Sequence, residues 1–173
     1  MPSIPIIYQL SFMKNKSNIK LCLTPDERKR FRANKIKHSD ITEYLVDDLS
    51  ALLNVPTERA KEIYALAEFQ SIPSVGIKFA QDLISMGYYS LDELKEKDGV
   101  TLTDDFELLI GTWIDPCFED QCRLVVDYAN NRDACKNWWD FTTERKKYRA
   151  ENGYPDNRPQ KAWFELEKYR DKE

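Results

Sequence analysis

Apolar residues recur every three or four positions along most of this chain and rarely alternate. Ile41, Leu45, Leu49, Leu52 and Leu53 form one such stripe, and Ala60, Ile63, Tyr64 and Ala67 form another. Ala80, Leu83, Ile84 and Gly87 form a third. A period of 3.6 residues gathers such positions on one helix face, whereas a half-buried strand needs a period of two. Glycine occurs only five times in 173 residues, which leaves little material for the tight turns of an all-β chain. The expected class is all-α, with enough apolar residues (42%) for a real core.

The helix boundaries are also legible. In "TPDERKRF", Thr24 is placed to cap, Pro25 takes the first helical position and Glu27 completes a capping box, with the helix fading near Asn34. A helix from Ser39 is expected to run to the break at Asn54-Val55-Pro56, and Pro56 suits the start of the next, "TERAKEIYALAEF". Pro73 ends that helix, since it lacks an N–H and disfavours helical geometry at Ile72. The following helix starts at Gly76 or Ile77 and takes Gly87 as its C-terminal glycine. "SLDELKE" opens with a capping box from Ser90 to Glu93, the chain turns near Gly99 and Thr101, and a helix from Thr103 or Asp104 runs to Ile110.

Asp115 and Pro116 start a helix whose stripe is Phe118, Cys122, Val125, Val126 and Ala129, with Glu119 and Asp120 at the positive end of its dipole. The aromatic "WWDF", a basic helix "TTERKKYRAEN", a Gly153–Pro159 linker and a last helix "QKAWFELEKYRDK" close the chain. The expected domains are a flexible extension over 1–22, a helical domain over 23–135 and an aromatic, basic extension over 136–173 packed on it. An internal echo fits two stacked helical hairpins, the first degenerate and without a glycine turn.

Charge is distributed unevenly. Residues 14–38 hold nine Lys/Arg against Asp26 and Glu27, a net +7, whereas residues 39–143 hold eight against twenty-one, a net −13. A polyanion would therefore meet the N-terminal arm first. No apolar run approaches the ~20 residues of a membrane span. The opening "IPIIYQLSFM" lacks the basic residues that precede a signal peptide's apolar segment. Cys22, Cys117, Cys122 and Cys135 then read as free thiols of a cytoplasmic protein.

"SIPSVGIKFA" lies between two helices. Its short turn brings backbone close to a ligand, and the first amides of the second helix, at Gly76, Ile77 and Lys78, point outward at an anion. Lys78 adds a mobile positive charge, and Ala80 lets the two helices approach. A sequence-neutral grip on backbone phosphate is the chemistry this favours. The bland alternative is a tight helical corner whose amides bind water.

"IPSVGIKFAQDLISMGYYSLDELK" resembles a helix-hairpin-helix DNA-binding motif. With "IDPCFEDQCRLVVDYA" and "WWDFTTERKKYRAENGYPDNRP", the chain from Leu23 to Trp163 resembles the bacterial "pathogenicity locus" family, whose members are also described as mitomycin-resistance-like. The resemblance implies a helix-hairpin-helix core. It implies phosphate contacts from the amides of Ser74, Gly76 and Ile77, across the turn at Val75, and from the Lys78 side chain. It also offers the carbonyls of Gln70, Ile72 and Val75 to a monovalent cation. The departure is Ser74, where such hairpins carry glycine, and this puts the closest backbone approach in question.

Other constellations carry less. Cys117 sits in the first turn of a capped helix, where the dipole favours a thiolate, but Glu119 and Asp120 crowd it with negative charge. The cysteines lack the spacing of a zinc site, and an Arg123–Glu119 pair at i, i+4 is the simple reading of that helix. No nucleophile–base pair is evident, so no enzyme, metal centre or cofactor beyond that cation is expected. The expected function is sequence-neutral DNA binding by the hairpin at Ser74–Lys78, helped by Arg28, Lys29, Arg30, Arg32, Lys35 and Lys37. The alternative is a protein-interaction adaptor that uses the acidic body and Trp138, Trp139 and Phe141.

Overall fold

The computed structural model describes residues 18–166, which divide into two compact units at Glu93/Leu94. Among these residues every extended element is helical, apart from one isolated parallel bridge between Trp113 and Ala162. The all-α expectation holds.

The first unit contains α1 (Pro25–Ala33), α2 (Val46–Leu53), α3 (Thr57–Gln70) and α4 (Ile77–Ser85). Thr24 accepts from the Glu27 N–H at 3.2 Å while Glu27 accepts from the Thr24 N–H at 2.8 Å, which is the capping box read from the sequence. Glu27 does more than cap. It is buried, and Arg59 of α3 donates to it from Nε at 2.8 Å and Nη2 at 3.0 Å, tying the first turn of α1 to α3.

The helix expected from Ser39 is interrupted. A 3₁₀ segment (His38–Glu43) gives way to extended backbone at Tyr44 and Leu45, and α2 starts only at Val46. The break shifts the register of the stripe. Ile41, Leu49 and Leu53 stay fully buried, while Leu45 is 72% exposed.

Ser71 and Pro73 end α3 as expected, and α4 closes with the Gly87 N–H on the Ile84 carbonyl and the Tyr88 N–H on the Leu83 carbonyl. Gly87, at φ +90°, takes the left-handed position that this cap requires. Glu93 accepts from the Tyr89 N–H, but "SLDELKE" yields only a 3₁₀ turn at Asp92–Leu94 rather than a helix.

The second unit contains α5 (Gly99–Ile110), α6 (Cys117–Asn131) and α7 (Thr142–Asn152). α5 starts four residues earlier than Thr103, because Asp98 caps it by accepting from the Thr101 N–H at 2.9 Å. Gly99 is therefore not a turn glycine. A Cβ there would lie 2.8 Å from the Arg123 backbone, so its absence lets α5 and α6 meet. Asp115 does cap α6, accepting from the Cys117 N–H at 2.8 Å. The expected last helix is replaced, over its described part, by an extended segment whose Lys161 and Trp163 bond to Trp113, followed by a 3₁₀ turn at Trp163–Glu165. Its remainder lies outside the described residues, as does most of the 1–22 extension.

Candidate functional site

The turn between α3 and α4 is closed by the Val75 N–H on the Ile72 carbonyl at 3.3 Å. Pro73 fixes its own φ near −65°, and Ser74 stands at φ +58°. Proline followed by a positive φ is the pattern of a type II turn, whose third residue is normally glycine. The position therefore does demand the left-handed conformation, and serine meets it at a cost of about 1–2 kcal/mol. The Ser74 hydroxyl donates to the Pro73 carbonyl at 2.7 Å.

Gly76 shows the reverse relation. Its φ of −105° is open to any residue, and a Cβ there would meet nothing within 4 Å. Neither backbone conformation nor packing calls for glycine at this position. Gly76 and Lys78 are exposed, while Ile77 is half-buried and Val75 buried. The open space lies at the N-terminal end of α4, where amides lack intrahelical acceptors. Of the three carbonyls offered to a monovalent cation, Ile72 already accepts within the turn, and Gln70 ends α3 at the negative end of that helix's dipole.

The basic arm divides into two kinds of residue. Arg30 is structural: its Nη1 donates to the carbonyls of Leu53 and Asn54, satisfying the C-terminal end of α2. Arg28, Lys29, Arg32, Lys35 and Lys37 are all exposed, and among the described residues none has a carboxylate partner. Four of these five, with Lys29 the exception, line a groove of about 560 Å³. Its buried apolar residues are Leu21, Leu23, Phe31 and Ile36, and His38 completes it.

Local backbone chemistry shapes this groove. The Lys35 N–H bonds the Arg32 carbonyl and the Ile36 N–H bonds the Phe31 carbonyl, a Schellman cap that brings Ile36 back toward Phe31. Lys35 occupies the left-handed position of that cap at φ +56°, where glycine is favoured. His38 is exposed but held. Its Nδ1–H donates to the Ile19 carbonyl at 2.9 Å, and its ring meets Phe31 edge-to-face with centroids 5.6 Å apart.

Sequence reasoning found the cations of this groove and missed its apolar side. The available signal was Phe31 and Ile36 within "RKRFRANKIKH", five residues apart across a helix end.

An extended segment links groove and hairpin within the first unit. The Lys20 N–H donates to Gln70 Oε1 at 3.1 Å and Gln70 Nε2 donates to the Lys20 carbonyl at 2.7 Å, so the last residue of α3 holds the segment as a paired strand would. Two residues on, Arg59 donates to the Cys22 carbonyl, and Gln81 of α4 lies 3.6 Å from Cys22 Sγ.

The second unit places its charges differently. Glu107, Glu119 and Asp120 are almost wholly buried, and each faces arginine. Arg145 donates from Nε to Asp120 at 2.8 Å, Arg149 to Glu119 at 2.7 Å and to Asp104 at 2.8 Å, and Arg158 to Glu107 at 2.6 Å. Arg123 bonds Glu119 at i, i+4 and also Glu144. Burial works against the charge of Arg149, but its bonds to Glu119 and Asp104 prevail and hold the guanidinium protonated.

Burial, reinforced by Asp115, pushes the Cys117 thiol up, so the dipole does not generate a thiolate there. Among the described residues, no three His, Cys, Asp or Glu side chains gather around a point where a metal ion would sit. Trp138 and Trp139 pack edge-to-face at 5.3 Å, and Trp139 remains 52% exposed. No helix among the described residues is long and apolar enough to cross a membrane.

Residues 62–147, from within α3 into α7, match the family described as "Pathogenicity locus". A mitomycin resistance protein, McrB, of Streptomyces lavendulae is 28% identical over 88 residues, covering 51% of this chain and 83% of that protein. No solved structure matches the chain.

Proposed function

The chain belongs, through residues 62–147, to the pathogenicity locus family, and we propose that it acts there as a non-enzymatic, sequence-neutral DNA-binding protein with a helix-hairpin-helix grip. The observation that carries this reading is the set of five exposed cations, Arg28, Lys29, Arg32, Lys35 and Lys37, that have no carboxylate partner among the described residues and share a unit with the hairpin. Unneutralised, solvated cations attract polyanions and release counterions on contact. The hairpin adds directional donors at Gly76 and Ile77, and Gly76 itself is exposed, with nothing within 4 Å of where a Cβ would stand. Lys78 supplies a positive charge beside those amides. Arg30 contributes by holding α2, not by touching DNA.

The acidic body opposes this less than its sequence charge implies. Glu107, Glu119 and Asp120 belong to the −13 segment, yet they are buried against Arg158, Arg149 and Arg145 and present no free charge. The test is salt-dependent binding to short DNA by the wild type and by Gly76→Ala and Lys78→Glu. Weakened binding in both variants, with a shallower salt slope for Lys78→Glu, supports the reading. No wild-type affinity at low salt overturns it.

A second reading, a protein-interaction adaptor, is favoured by Trp139 and by Leu109, which is 57% exposed. In it the hairpin is purely structural, and it predicts a co-purifying protein partner that is lost on Trp139→Ala in a variant that stays folded.

A further inference from the structure

We propose that the groove bounded by Leu21–Leu23, α1 and His38 takes an unstacked nucleobase, so that the protein prefers single-stranded over duplex nucleic acid. This rests on the DNA-binding reading and specifies its substrate. A duplex presents phosphates on a convex surface and keeps its bases stacked inside. Cations alone would suffice to hold it, and a recess behind them would go unused. Here Arg28, Arg32, Lys35 and Lys37 stand exposed around a recess of about 560 Å³ whose wall is the buried apolar side of Phe31 and Ile36. Positive charge around an apolar recess with an aromatic ring is the combination that single strands use, phosphates outside and a base within.

Two details argue that the recess is built for a ligand. The first is His38. Its ring is exposed to solvent yet immobilised twice, by the Nδ1–H bond to the Ile19 carbonyl and by edge contact with Phe31. A pre-positioned planar ring offers stacking without an ordering cost on binding. The second is Lys35. A left-handed cap position accepts glycine at no steric cost, and lysine there carries strain that local stability does not reward. What lysine adds is a cation beside the recess.

The test compares a short thymidine oligomer, its duplex with adenosine, and a strand of equal length in which the bases are removed. Binding is read by fluorescence anisotropy at fixed salt. The thymidine strand should bind more tightly than the base-free strand by roughly 5- to 150-fold, the worth of one stacked base. His38→Ala should bring the affinities of the two strands together, collapsing the ratio between the thymidine strand and the base-free strand. If His38→Ala perturbs folding, Lys35→Gly gives the second readout: the protein unfolds at equal or higher urea, yet single-strand affinity and salt slope both fall.

Equal binding of base-bearing and base-free strands overturns the groove proposal, and so does tighter binding of the duplex. If Gly76→Ala still weakens duplex binding in that case, the DNA-binding reading survives without it. Failure of all three ligands to bind overturns both. Displacement of the thymidine strand by polyglutamate at equal charge points to an acidic protein partner and counts against the base site.

Discussion

The arginines of the two units are chemically alike and are used in opposite ways. In the second unit Arg145, Arg149 and Arg158 face Asp120, Glu119 and Glu107 from within hydrogen-bonding distance, and those acids are all but excluded from water. In the first unit Arg28 and Arg32 are exposed and have no acid against them among the described residues, whereas Arg30 and Arg59 are put to structural use. A guanidinium that already neutralises a buried carboxylate cannot be spared for a ligand, because removing it strands the acid. A solvated, unpaired guanidinium contributes almost nothing to stability and is available to a partner. The number of arginines therefore says little about polyanion binding. Their partners decide it.

The sharpest way to break this comparison is to remove one arginine of each kind. Arg145→Met should cost about 3–5 kcal/mol, since Asp120 would be left buried without its counter-charge. The urea midpoint of the second unit reports it. Thr142 also donates to Asp120 at 2.8 Å, so some satisfaction survives. The double variant Asp120→Asn/Arg145→Met should recover part of the loss.

The mixed case is Glu27, an acid of the first unit built in the manner of the second. Its bonds from Arg59, then from Thr24, hold its carboxyl below the usual carboxylate range despite burial. A lowered folded pKa contributes stability that is present above the unfolded value and lost as pH falls through the folded one. The first unit should therefore lose stability on acidification below the ordinary glutamate range. Glu27→Gln should cost about 1.5 kcal/mol at neutral pH and flatten that acid limb, as followed by urea titration at several pH values. Asp104 has the opposite sign, because burial raises its pKa against the pull of Arg149. Its share of stability grows as pH falls.

Arg32→Met probes the unpaired kind. It should leave the urea midpoint within about 0.5 kcal/mol of wild type. It should also reduce the salt slope of DNA binding by about 0.9 if Arg32 contacts one phosphate. A stability loss comparable to that of Arg145→Met would mean that the groove cations are structural after all. The smallest expected effect is at the hairpin. Ser74→Gly relieves a positive φ but frees the unfolded chain, for a net gain of about 0.5 kcal/mol, measurable by thermal unfolding. DNA affinity should hold or rise, since glycine allows closer backbone approach.

Much of the fold was legible because its signals are local. The Thr24–Glu27 box, the Pro73 stop, the Gly87 cap and the Asp115 cap each span four residues or fewer, and each forms as read. The misreadings share a cause. Ser39–Leu53 has continuous helical spacing in sequence, yet the chain breaks at Tyr44 and Leu45, and sequence periodicity carries no mark of the break or of the register shift it causes. Gly99 looked like punctuation because its neighbour Arg123, twenty-four residues away, is absent from any local window. At the turn after Pro73, the sequence marked Ser74 as standing where such turns carry glycine but did not fix its conformation. The sequence pairs a glycine at position 76 with a serine at 74, and only the backbone reveals that the left-handed residue is the serine.

By itself the sequence determined an all-helical chain, most helix ends, the turn after Pro73 and a basic arm, since caps, prolines and apolar periodicity act within a turn or two. Only the tertiary structure decided which charges are available. Ion pairs such as Arg149–Asp104 and Arg158–Glu107 join residues 45 and 51 positions apart. Burial makes those pairs obligatory, because a carboxylate withdrawn from water must find a cation. Cations left in water are bound by no such requirement, and Arg28, Lys29, Arg32, Lys35 and Lys37 are exposed with no carboxylate partner among the described residues.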